Sequence, residues 1–186
     1  MSGSSGRTAS EARARAFTLV EAVISTVIVS VAMVAALTSV SRSSLFRRIA
    51  NERQIGFQLG QQLMAEILSK DYLDPAYPGG GSMGPGGDET ATGNRSLYDD
   101  VDDYNGWLEC PPRLADGTVI ANRTQWYRKV NVAWVRPTSP DVPVGYETWL
   151  KRITVEVGTV VAGGSVSFSR NRQPKATLVA LAGQGR

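Results

Sequence analysis

The chain has 186 residues, a formal net charge of +3 at pH 7, no histidine and a single cysteine. Without histidine there is no Ser-His-Asp or Cys-His nucleophile system and no imidazole metal ligand. With Cys110 alone there is no intrachain disulfide and no cysteine zinc site, so its expected role is that of a small, partly buried apolar residue.

Residues 1–16 carry Arg7, Arg13 and Arg15 against Glu11, a bias that holds a leader on the cytoplasmic side of a membrane. Residues 17–40 follow with no charge except Glu21. At a rise of roughly 1.5 Å per residue this stretch reaches about 36 Å, enough for a hydrocarbon core of about 30 Å. It is longer than the apolar region of a secretory signal peptide, about 7–15 residues. The soluble remainder is one small domain and is expected on the extracytoplasmic side. A carboxylate inside such a span costs about 2.5–3.5 kcal/mol, so Glu21 is expected to have a partner; the plainer reading is a signal anchor whose Glu21 sits idle near the headgroups.

The run Arg15-Ala16-Phe17-Thr18-Leu19-Val20-Glu21, a basic leader entering an apolar helix, resembles the processing signature of type IV pilins and type II secretion pseudopilins. The resemblance implies cleavage between Ala16 and Phe17, N-methylation of the new Phe17 amine, and Glu21 as the carboxylate that answers that amine during assembly. Where the family usually has Gly before the cut, this chain has Ala16, which is also small. It further implies a subunit of a pilus or pseudopilus, with other subunits, a prepilin peptidase, an inner-membrane assembly platform and membrane lipid as partners; the long Gly/Pro loop leans toward a minor subunit. The physical chemistry points the same way: a free α-amino group is largely cationic at neutral pH and needs a counterion at the start of an apolar helix.

Helical spacing continues over residues 41–72, since no proline occurs before Pro75. Leu45, Ile49, Ile55, Leu59, Leu63 and Ile67 share one stripe, and Phe46, Phe57, Met64 and Leu68 lie toward the other side. One stripe is expected to cover the chain's own sheet and the other to meet neighbouring subunits, unless the helix is simply well buried.

Residues 73–116 read as a Gly/Pro-rich acidic loop whose glycine runs lack the Gly-Lys-Ser/Thr ending of a phosphate cradle. Asp99, Asp100, Asp102 and Asp103 offer the hard oxygens that Ca²⁺ takes, and some pseudopilins resembling this chain hold calcium in such a loop. Aligning Gly106 with the EF-hand glycine puts Val101 and Pro112 at ligand positions, so that spacing fails. A solvated or partner-facing loop is the favoured expectation, with no cofactor, and Ca²⁺ stays open as the alternative.

From residue 117 to 186 the chain reads as strands at 118–120, 126–135, 149–161, 165–169 and 176–181, with breaks at Pro137-Thr138-Ser139-Pro140 and Ala162-Gly163-Gly164. Ile153, Val155 and Val157 alternate with Thr154 and Glu156, which fits a strand buried on one face. Trp126, Tyr127 and Trp134 are expected to be sheet packing. The fold class is therefore α+β: a long N-terminal helix, transmembrane in its first half and amphipathic in its second, packed on a small antiparallel sheet as in pilins.

Acids dominate residues 66–109 and bases dominate 112–186, an arrangement suited to head-to-tail assembly. A competing function is an unprocessed, anchored protein that binds a polyanion such as DNA through Arg123, Arg128, Lys129, Arg136, Lys151, Arg152, Arg170, Arg172 and Lys175. No convergent acid, base and nucleophile can be picked out, so an enzyme is not expected.

Overall fold

The computed structural model describes residues 18–77, 82–86, 89, 95–160 and 172–184. It contains one long helix, α1 (Leu19–Leu68), and strands β1 (Leu108–Glu109), β2 (Trp126–Arg136), β3 (Ser139–Pro143), β4 (Leu150–Val160) and β5 (Arg172–Gly183). Two compact units divide the chain, Met1–Arg47 and Arg48–Arg186.

In the first unit every described residue is solvent-exposed helix or its cap. Thr18 accepts a hydrogen bond on its side-chain oxygen from the Glu21 N–H at 3.3 Å, one half of the Thr-x-x-Glu capping arrangement. The large apolar residues from Leu19 to Val40 are exposed, with no packing partner among the described residues. This helix is long and apolar enough to cross a membrane.

The second unit is an α+β layer pair. The sheet is antiparallel, ordered β1-β2-β4-β5, with β3 also pairing with β2. Val130 stands opposite Val155 and Val132 opposite Ile153; across the next ladder Ile153 meets Ala180 and Val155 meets Leu178. These residues lie on one face because side chains alternate along a strand. They form the core with Leu59, Leu63, Met64 and Ile67 of α1.

Close approach of the helix to the sheet depends on glycine. A Cβ added at Gly60 would lie 2.4 Å from Leu178 Cδ1, and one at Gly56 would lie 3.3 Å from Ala176 Cβ. At Gly158, beside the register shift between β4 and β5, a Cβ would lie 2.2 Å from the Gln173 carbonyl oxygen. A backbone atom cannot step aside as a rotamer can, so only glycine fits there.

Several sequence expectations change. The helix stops at Leu68 and not at 72: the Ser69 side chain and N–H both turn back to the Glu66 carbonyl, and Asp71 then bridges to Asp100. Met64 joins the buried stripe, because it continues the i, i+4 row of Gly56 and Gly60. Leu45 and Ile49 are exposed instead, as are Phe46, Phe57 and Leu68. Residues 118–120 make only an isolated bridge between Arg113 and Val119. The segment around Pro137 and Pro140 is a turn into β3, since Ser139 and Pro143 both find partners on β2. The 73–116 loop holds β1 and short 3₁₀ turns at Arg95–Leu97 and Asp102–Tyr104. The strand expected at 165–169 lies outside the described residues.

Candidate functional site

Two regions bear on function: the start of α1 and the acidic segment over the sheet. Of the processing residues, Ala16 and Phe17 lie outside the described residues. Glu21 stands in the first turn of α1, exposed, where a carboxylate is favoured by the positive end of the helix dipole. The cap itself is Thr18, whose Thr18-x-x-Glu21 spacing is a signal in the sequence that the motif reading left unused.

The acidic run is solvated only at Asp99. Asp100, Asp102 and Asp103 are only 1 %, 7 % and 3 % exposed, and the 3₁₀ turn that begins at Asp102 is pinned by side chains of the run itself. Asp100 Oδ1 accepts the N–H groups of Asp102 (2.7 Å) and Asp103 (3.1 Å). Asp103 Oδ2 accepts those of Asp99 (2.9 Å) and Asp100 (3.1 Å). Short polar side chains that bond their own backbone favour such turns, and here four backbone donors are satisfied without water. Charge-run reasoning failed because it weighed the solvation of carboxylates and not their capacity as acceptors.

The four aspartates then part. Asp102 pairs with Lys151, itself buried on the core face of β4 and donating also to the Tyr72 carbonyl. Asp99 and Asp103 instead converge with Glu89, so that one carboxylate oxygen from each lies within 4.8 Å of the others. Glu89 was not picked from the sequence; it comes from the glycine-rich part of the loop and is held by the Gly86 N–H at 2.7 Å. A cavity of about 210 Å³ adjoins the turn, with Asp74, Ser82, Gly84, Asp100, Asp102 and Asp103 in its wall.

Carboxylates this close, most of them buried, resist ionising together. Burial, reinforced by Asp103 and Asp99, pushes the Glu89 carboxyl up to about 7. Burial, reinforced by Asp102 and Asp103, pushes Asp100 up to about 8. Asp99 is also raised, by burial first and Asp103 next. A hard cation would relieve the same repulsion, since Ca²⁺ takes carboxylate oxygens as its ligands. Glu89, Asp99 and Asp103 are the residues that could hold it. Asp100 and Asp102 are drawn off to backbone N–H groups and to Lys151.

A second buried polar cluster lies beside the first. Glu109 Oε1 takes Arg128 Nε at 2.9 Å, Arg95 Nη1 at 3.4 Å and the Arg113 N–H at 3.0 Å. Glu66 Oε1 accepts the Tyr104 hydroxyl at 2.9 Å and lies 2.9 Å from Arg95 Nε as an ion pair, off the N–H direction. Trp107 receives both guanidinium groups, with Arg95 Cζ 4.9 Å and Arg128 Cζ 5.7 Å from its ring centre.

These pairings take Arg128 and Lys151 out of the expected basic surface. Arg128 and Lys151 are each 1 % exposed and serve as internal counterions. Lys175 is held by Glu52 at 2.8 Å, Arg136 reaches Tyr146 and Arg152 caps the Pro140 and Asp141 carbonyls. Arg172 stacks on Tyr127, and Arg170 lies outside the described residues. Trp126 and Tyr127 are buried sheet residues as expected, Trp134 is half-buried, and Cys110 is half-buried with its thiol toward the Thr124 carbonyl at 3.7 Å. Searches against family models, curated proteins and solved structures returned no match for this chain.

Proposed function

We propose that the chain is a non-enzymatic, prepilin-like subunit that is cut before Phe17 and assembles through α1 into a type IV pilus or a type II secretion pseudopilus. The observation that carries this reading is α1 itself. Its first part is wholly exposed apolar helix with one carboxylate in the first turn, and its last turns cover an antiparallel sheet. An apolar surface of that extent needs lipid or other protein around it. Both are supplied in turn to a subunit that waits in a membrane and then enters a filament. A terminal amine released beside Glu21 would give that carboxylate its counterion, either in the same subunit or in a neighbour.

The test is the mature N-terminus. Mass spectrometry of protein extracted from membranes containing an active prepilin peptidase is expected to find chains starting at methylated Phe17. Recovery of the intact leader there would sink the reading and leave a permanently anchored protein. In sheared-fibre fractions Glu21→Gln should be depleted while membrane insertion is retained, because the neutral side chain inserts more easily but leaves the amine unpaired.

A further inference from the structure

We propose that Arg42 and Arg47 form a collar that binds anionic phospholipid headgroups where α1 leaves the bilayer. This rests on reading α1 as a membrane span. Between Glu21 and Glu52 the chain has no acidic residue, and its only bases are Arg42, Arg47 and Arg48. Arg48 is drawn to Glu52 at 3.2 Å. Arg42 and Arg47 are exposed, and among the described residues neither has an ion-pair partner.

Depth and direction both favour headgroups. Leu19 to Val40 covers about 33 Å of helix axis against a hydrocarbon core of about 30 Å. Arg42 then lies about 3 Å past the apolar run and Arg47 about 10 Å past it, at a rise of about 1.5 Å per residue. Helical side chains tilt toward the N-terminus, which brings the Arg47 guanidinium back toward the membrane. Around the axis the two residues are about 140° apart at about 100° per residue, so they do not share one stripe. A protein partner docks along a stripe; a headgroup layer surrounds the helix and meets both. Phosphodiester oxygens suit the planar guanidinium fork, and a headgroup with net negative charge attracts it more than a zwitterionic one.

The experiment uses the full chain with a donor fluorophore at Ser44→Cys in a Cys110→Ser background, reconstituted in phosphatidylcholine vesicles. Trace acceptors are phosphatidylglycerol or phosphatidylcholine, each labelled on an acyl chain. Phosphatidylglycerol is expected to be enriched around the helix by about fivefold or more at low salt. The excess should shrink toward parity in R42Q/R47Q and in molar salt, and return in R42K/R47K. Alkaline carbonate extraction of the same vesicles separates the two ways to fail. Carbonate-resistant protein with equal transfer from both lipids overturns the collar while the span stands; release by carbonate overturns the span and the collar with it. An excess that survives in R42Q/R47Q assigns the lipid contact to other residues and also overturns the proposal.

Discussion

Two buried polar clusters share the face of the second unit, and they differ in sign. In one, Glu66 and Glu109 alternate with Arg95 and Arg128, and Trp107 receives both guanidinium groups. In the other, buried Glu89 and Asp103 meet the exposed Asp99, and the one base acting on the trio, Lys70, acts on Asp99. The first is closed: each charge has its opposite, and its work is to tie the end of α1 to the loop and to β2. The second is open, because something mobile, a proton or an added cation, must balance it. Crowded charge can therefore mean structure in one place and responsiveness in another, and the balance of charge decides which.

The largest expected effect breaks the closed cluster. Glu109→Gln leaves buried Arg128 without its carboxylate and Arg95 with Glu66 alone, and should cost about 3–5 kcal/mol of stability, read from denaturant unfolding of the full chain in micelles. A loss below about 1 kcal/mol would show that the network is no tighter than a surface pair.

The open cluster should respond with the opposite sign. Glu89 near 7 and Asp100 near 8, against ordinary values of 4.5 and 3.8, mean that the native state holds extra protons between those limits. Stability therefore falls as pH rises through that window; the cost is absent below the ordinary carboxylate range and complete above about pH 8. Glu89→Gln should flatten this slope and raise Tm at pH 8 by about 3 °C, equivalent to about 1 kcal/mol. A wild-type Tm that climbs with pH from 5 to 8 would contradict the geometry of the cluster. If micromolar Ca²⁺ raises the wild-type Tm at pH 8 and leaves Glu89→Gln unmoved, the balancing species is the cation.

The smallest effect supplies the scale. Lys175 and Glu52 pair at 2.8 Å, but their side chains are 22 % and 26 % exposed. Lys175→Ala should cost less than about 1 kcal/mol, most of it lost in high salt. A cost approaching that of Glu109→Gln would erase the contrast between buried and wetted pairs.

The parts legible in the sequence are those governed by period. Ile153, Val155 and Val157 alternate and are all fully buried; Leu59, Leu63 and Ile67 recur at helical spacing and line the same core. Period says which residues share a face and nothing about what lies opposite. Arg128 and Lys151 were on faces that could be named, yet their burial depended on Glu109 and Asp102 arriving from a loop. Glu89 was harder still, because its meeting with Asp99 and Asp103 is made by loop closure, which leaves no periodic mark. The two-residue β1 is too short to carry a pattern and exists because β2 offers it an edge.

The seat of the helix on β5 couples two positions far apart in the chain. With no side chain at Gly60, the Leu178 methyl occupies the space a Cβ would need. Enlarging residue 60 should thus be tolerated best when residue 178 shrinks, so that Gly60→Ala with Leu178→Val loses less than the sum of its parts. Among natural variants of this chain, the size of residue 178 is then expected to rise and fall inversely with that of residue 60, a pairing that would betray the helix–sheet contact in an alignment before any coordinates were consulted.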